Sequence, residues 1–80
     1  MDDDEIVRRI GELAAEEQRL EEARVGAGLR DEDRARQREL EVTLDRLWDV
    51  LRQRRAKRHA GQDPDSAVLR PADTVEGYLQ

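Results

Sequence analysis

The sequence predicts an all-α protein: an antiparallel two-helix hairpin, coiled-coil-like, followed by a C-terminal tail of short turns. Three observations lead to this fold class. Of the 80 residues, 44% are charged and only 2% are aromatic, a composition typical of long helices and coiled coils. Apolar residues recur in two segments with alternating steps of four and three residues. A glycine-containing break separates these segments, and the length allows one domain at most.

The first helix is expected over residues 2–25. Its acidic start, residues 2–5, places carboxylates where the positive end of the helix dipole favours them. Its apolar seam consists of Ile6, Ile10, Leu13 and Leu20. Gly11 interrupts this helix at a cost of about 1 kcal/mol relative to Ala, and we expect the indole of Trp48 to occupy the space that it leaves.

A loop is expected over residues 26–31 and a second helix over residues 32–59. Gly26 or Gly28 can adopt the left-handed conformation of a C-terminal cap, and Asp31 is expected to cap the second helix. A loop this short between two long helices favours an antiparallel hairpin. The apolar positions of the second seam are Leu40, Leu44, Leu47 and Leu51, with Trp48 beside them.

Folding the chain about this loop pairs positions whose numbers sum to roughly 57. Ile10 then lies opposite Leu47, and the acidic start lies beside Arg54 and Arg55, so apolar and charge patterns agree in one register. A lone hairpin buries too little apolar surface to offset the entropy of ordering two long helices. We therefore expect a homodimer that forms a four-helix bundle, with a core or interface made by Ile6, Ile10, Leu13, Leu20, Leu40, Leu44, Leu47, Trp48 and Leu51.

The chain divides into the hairpin, residues 1–59, and a tail, residues 60–80. Gly61 is a natural helix stop, and the segment 63–65 reads as a turn or a short helix start with Pro64 at its first position. The tail is too apolar for a plain solvated linker, so we expect it to dock. Its residues Val75, Tyr78 and Leu79 either pack into a groove of the same protein or bind a different protein as a short peptide.

Two segments carry a family resemblance. Residues 44–56, LDRLWDVLRQRRA, and residues 75–80, VEGYLQ, resemble a small actinobacterial family of helical hairpins that is catalogued as a domain of unknown function. The resemblance covers almost the whole chain and implies a bacterial, cytoplasmic protein. It implies no catalytic or binding residue.

Nothing in the sequence points to an enzyme, a cofactor or a metal. The chain has no Cys and a single His, His59, which lacks the Glu three residues earlier that a bundle di-iron site requires. No glycine-rich phosphate loop with its Lys is present. No apolar run of membrane-spanning length and no basic, apolar secretory signal occur, so we expect no membrane association and a cytoplasmic location.

A basic cluster near the end of the second helix allows two interpretations. It could bind nucleic-acid phosphates, or it could be a helix C-terminus neutralised by the acidic start of the first helix. The net charge of −5 favours the second. The leading hypothesis is therefore a small protein-interaction or regulatory hairpin that dimerises and contacts an unknown protein; the alternative is a nucleic-acid-associated protein that uses Arg52, Arg54, Arg55, Lys57 and Arg58.

Overall fold

The computed structural model describes residues 1–27 and 30–78. Helix α1 spans Asp3–Ala27, α2 spans Asp31–His59 and α3 spans Ala72–Tyr78, while a short 3₁₀ turn spans Pro64–Ser66. None of the described residues lies in a strand. The all-α fold class is confirmed.

The two long helices pack against each other and run antiparallel. Asp3 at the start of α1 pairs with Arg54 near the end of α2, whereas Glu16 pairs with Arg36 in the first part of α2. Contacts thus move backwards along α2 as they move forwards along α1. The hairpin is confirmed, and the pair of Asp3 with Arg54 matches the register expected from the sequence.

The helix ends differ from those expected. Helix α1 continues to Ala27 instead of ending at residue 25, and α2 starts at Asp31 instead of residue 32. Arg30, in an extended conformation, is the N-cap and forms no side-chain capping bond. Asp31 is therefore the first helical residue and not the cap, and its carboxylate lies in the first turn, where the helix dipole stabilises it. Gly26 lies within α1, and Gly28 lies outside the described residues.

The end of α2 is set by Gly61. This residue has a φ of +73°, a conformation that glycine adopts without the clash of a Cβ. Its N–H bonds the Arg58 carbonyl at 3.1 Å, and the next N–H, from Gln62, bonds the Lys57 carbonyl at 2.7 Å. These bonds satisfy carbonyls at the helix end. The 3₁₀ turn then starts at Pro64, as the sequence suggested.

The apolar core lies in the half of the hairpin away from the loop. Leu20 is partly buried and packs against this core. Trp48 is 44% exposed, so it is not part of the core of a single chain. Val50, which lies off the predicted seam, is buried in the same cluster. The buried members are Ile6, Ile10, Leu13, Leu40, Leu44, Leu47, Val50 and Leu51.

The tail packs against α2 at two places. Both the 3₁₀ turn and α3 contact α2, and the Val75 side chain of α3 is fully buried. Helix α2 is therefore covered by α1 on one side and by the tail on another.

Candidate protein-interaction surfaces

An ion network joins the start of α1 to the end of α2. The Asp3 carboxylate accepts hydrogen bonds from Arg58 Nη1 at 2.6 Å and Nη2 at 2.7 Å, and from Arg54 Nε. Arg54 Nη1 also donates to Asp65 Oδ1 at 2.9 Å and to the Pro64 carbonyl. The bonds from Arg58, and then those from Arg54, hold the pKa of Asp3 well below its usual range. Two residues of the basic cluster are thus neutralised within the chain.

The rest of the basic cluster is divided among different environments. Arg54 is 5% exposed, whereas its partner Asp3 is half-buried. Arg55 is exposed and forms no hydrogen bond or ion pair with the described residues; Arg58, one turn further along α2, contacts Asp3 instead. Arg52 is exposed, with Nη2 4.0 Å from Asp49 Oδ1, and Lys57 is half-buried. The five residues therefore do not form one continuous exposed surface.

A buried carboxylate anchors the tail to α2. Asp49 is 1% exposed and accepts hydrogen bonds from Arg70 Nε at 2.8 Å and Arg70 Nη2 at 2.6 Å. Gln53 Nε2 donates a third bond, at 3.0 Å. Burial by itself raises the pKa of Asp49, but the bonds from Arg70 and Gln53 outweigh burial and hold it below its ordinary value. The carboxylate is therefore charged and paired at neutral pH.

Two further bonds hold the backbone of the same segment. Gln53 Nε2 donates to the Val68 carbonyl at 2.7 Å, and Arg46 Nε donates to the Arg70 carbonyl at 2.9 Å. Sequence reasoning missed this anchor. Its one available signal was that Arg70 is the only basic residue of the tail, and nothing in the sequence connects it to an aspartate on a distant helix.

Helix α3 brings a second acidic side chain to α2. Glu76 Oε1 is buried and has no hydrogen-bond partner in the part of the chain that the structure describes. Burial, followed by the carboxyl groups of Asp45 and Glu41, raises the pKa of Glu76. Of the predicted tail residues, Val75 is buried; the Tyr78 side chain and Leu79 lie outside the described residues.

The expected contact between Trp48 and Gly11 is wrong. A Cβ built on Gly11 would meet nothing within 4 Å. Gly11 is five residues after Ile6, which turns it about 140° around α1 from that core position. It therefore points away from α2, and the indole does not fill its space.

A seam of side chains on α2 remains open between α1 and α3, and we call it the open seam. Its members follow each other in steps of four, three, four and three residues. Trp48 lies at its centre, with acidic residues before it and basic residues after it. All are exposed except Asp45, which is half-buried; they are Glu41, Asp45, Trp48, Arg52 and Arg55.

The opposite side of the hairpin has a groove. Its volume is about 520 Å³, and Met1, Thr43, Leu47, Val50 and Leu69 are among the residues that line it. Leu69 is 51% exposed.

In residues 1–27 and 30–78, no group of three or more His, Asp or Glu side chains is arranged to hold a metal ion. Within the same ranges, no helix combines the length and the apolar character needed to cross a membrane.

Comparison with known proteins places the chain in a family. Residues 2–80 match the family described as "Protein of unknown function (DUF2630)". The chain is 48% identical over 77 residues to the uncharacterised protein Mb0922c of Mycobacterium bovis, a match that covers 95% of this chain and 88% of that protein. The uncharacterised protein Rv0898c of Mycobacterium tuberculosis matches with the same identity and the same coverage. No solved structure matches significantly. These matches agree with the actinobacterial family resemblance, and the chain belongs to the DUF2630 family.

Proposed function

We propose that this chain is a small cytoplasmic protein-interaction or regulatory hairpin, which acts by forming a homodimer and by contacting a partner protein. One observation carries the proposal: Trp48, the one Trp of the chain, is 44% exposed on the open side of α2. Tryptophan is enriched at protein interfaces because its large ring loses much water-exposed area on binding. The described core supports the same conclusion, because its main cluster consists of eight buried aliphatic side chains in one half of the hairpin.

Sedimentation equilibrium of the full chain between about 1 and 100 µM tests the dimer. We expect the mass to rise from one chain to two over this range. A compact chain that stays at 9.3 kDa throughout and melts cooperatively would overturn the dimer.

The partner protein requires a separate experiment. The full chain and a Trp48→Glu variant serve as matched baits in extracts of the native host. We expect at least one protein to bind the full chain and to be lost from the variant, because burying a carboxylate in place of the indole is costly and weakens the dimer through which the chain is proposed to act. Identical recovery on both baits would contradict a role for this surface.

Fractionation of host cells tests the cytoplasmic location, and recovery of the protein in the membrane fraction would contradict that location.

Nucleic-acid binding is not part of the proposal. Arg54 and Arg58 already pair with Asp3, so a phosphate backbone would have to displace an existing carboxylate partner. Binding of labelled RNA or DNA that persists at about 150 mM salt would reverse this preference.

A further inference from the structure

We propose that the open seam is the homodimer surface and that two copies of α2 cross antiparallel there, related by a two-fold axis at Trp48. This inference rests on the proposed function, because it names the surface through which the two chains meet. The occupant of the seam is a second copy of this chain.

The charges along the seam are self-complementary in this arrangement. An antiparallel two-fold through Trp48 places Glu41 of one copy opposite Arg55 of the other, because each lies seven residues, about 10.5 Å, from the centre. Asp45 of one copy faces Arg52 of the other: Asp45 lies about 4.5 Å before the centre and Arg52 about 6 Å after it. The long arginine side chain can span this difference of about 1.5 Å. Each dimer would contain every one of these pairs twice, because a two-fold interface is isologous.

The alternative parallel arrangement is opposed by the same charges. It would place Glu41 against Glu41 and Arg55 against Arg55, and like charges at matched positions of packed helices select against that orientation. The stepwise spacing of the seam, four and three residues in alternation, is that of helices packed at a small crossing angle. Antiparallel pairing satisfies both the spacing and the charge.

Arg55 on the seam and Glu76 Oε1 beside it have no hydrogen-bond partner among the described residues, and a second copy would supply one to each. Arg55 is exposed and has no ion pair with the described residues. Glu76 Oε1 of α3 is buried without a hydrogen-bond partner in residues 1–27 and 30–78, close to the carboxyl group of Asp45. Arg52 of the second copy would approach these two carboxyl groups. Its present contact with Asp49, at 4.0 Å, is long enough to be given up.

The location of the seam is compatible with the rest of the fold. Helix α1 covers one flank of α2, and the tail covers another, so the seam is a sector of α2 that another helix can reach. Two such hairpins joined through α2 would bring four long helices together, which is the four-helix bundle that the sequence predicts.

Charge exchange on the seam is the decisive experiment. We expect Glu41→Arg and Arg55→Glu, each alone, to raise the dimer dissociation constant on the order of tenfold, because each puts like charges opposite each other twice. The double variant E41R/R55E should return to within a few-fold of the parent, because it restores the pairing in reverse. Arg8→Glu is the matched control: Arg8 is exposed on α1 outside the seam, and the substitution changes the net charge as much as Arg55→Glu.

Trp48 supplies a second measurement in the same samples. Because the chain has one Trp, its fluorescence should shift to shorter wavelength as the protein concentration rises through the dissociation constant. Trp48→Ala should weaken the dimer on the order of 100-fold, since two central aromatic anchors are removed. Circular dichroism at each step reports whether the variants remain helical.

The outcomes separate this inference from the proposed function. A dimer that is unchanged by Glu41→Arg, by Arg55→Glu and by Trp48→Ala, with emission independent of concentration, would overturn the seam and leave homodimerisation intact. A chain that remains monomeric at all concentrations would overturn both. Weakening by either single exchange without recovery in the double variant would overturn the antiparallel pairing.

Discussion

The bond between Arg70 and Asp49 makes the sharpest prediction about stability. Replacing Arg70 by Met keeps a long unbranched side chain but removes the two hydrogen bonds that the guanidinium donates to Asp49, at 2.8 and 2.6 Å. Asp49, whose side chain is 2% exposed, would keep the bond from Gln53. We therefore expect Arg70→Met to destabilise the fold by leaving a buried carboxylate under-paired.

The structure limits the size of this effect. Removing one partner of a fully buried ion pair costs about 3–5 kcal/mol. Here Arg70 is 32% exposed and the bond from Gln53 persists, so the loss should be nearer 2–3 kcal/mol. The loss also cannot exceed the free energy with which the tail docks, because release of the tail lets water reach Asp49. For a domain of this size, 2–3 kcal/mol lowers Tm by about 10–20 °C.

Thermal unfolding followed by circular dichroism measures the change in Tm, and limited proteolysis with thermolysin reports release of the tail. We expect faster cleavage of Arg70→Met between residues 60 and 72. The matched control is Arg38→Met, since Arg38 is exposed on α2 and its loss should change stability by less than about 0.5 kcal/mol. Replacing Asp49 by Leu in the Arg70→Met background should recover most of the lost stability. A Tm for Arg70→Met that equals the control, with unchanged cleavage of the tail, would refute this account of the anchor.

Three further predictions concern α1 and α3. Gly11→Ala should stabilise the chain by about 1 kcal/mol in urea titrations, because a Cβ there meets nothing and Ala is the better helix former; a loss would mean that another helix approaches this position. Burial and the carboxyl groups of Asp45 and Glu41 raise the pKa of Glu76, so docking of α3 should weaken as pH rises through that pKa. In thermal melts, Glu76→Gln should remove this dependence of Tm on pH and should raise Tm at pH 7. If Tm changed with pH equally in parent and variant, this role of Glu76 would be contradicted. Hydrogen bonds from its arginine partners lower the pKa of Asp3, so Asp3 stabilises the fold above its unfolded-state pKa, and this stability is lost as pH falls through its folded-state pKa. Asp3→Asn should therefore lose less stability than the parent when the protein is acidified. Equal losses of stability in the two proteins would be inconsistent with the pairing.

Local patterns were sufficient to predict the two long helices and their antiparallel order, but not α3, which was expected as short turns. The step of four and three residues that joins Ile6, Ile10 and Leu13 reports which face of a helix is apolar, and it does so without knowledge of the partner helix. Charge added the register, because Asp3 could meet Arg54 only if the chain folded near Gly28. The end of α2 at Gly61 could likewise be predicted, because a helix that ends in a left-handed residue requires glycine at that position for local steric reasons.

The tail anchor and the exposure of Trp48 depend on the tertiary arrangement instead. The contact of Asp49 with Arg70 joins residues 21 positions apart, and sequence periodicity carries no information about which carboxylate a tail will cover. Trp48 adjoins Leu47 along the chain but is turned about 100° from it; whether that direction meets α1, the tail or solvent depends on where α3 packs. Periodicity defines the faces of each helix, and the packing of the helices and tail in space decides which of those faces another molecule can reach.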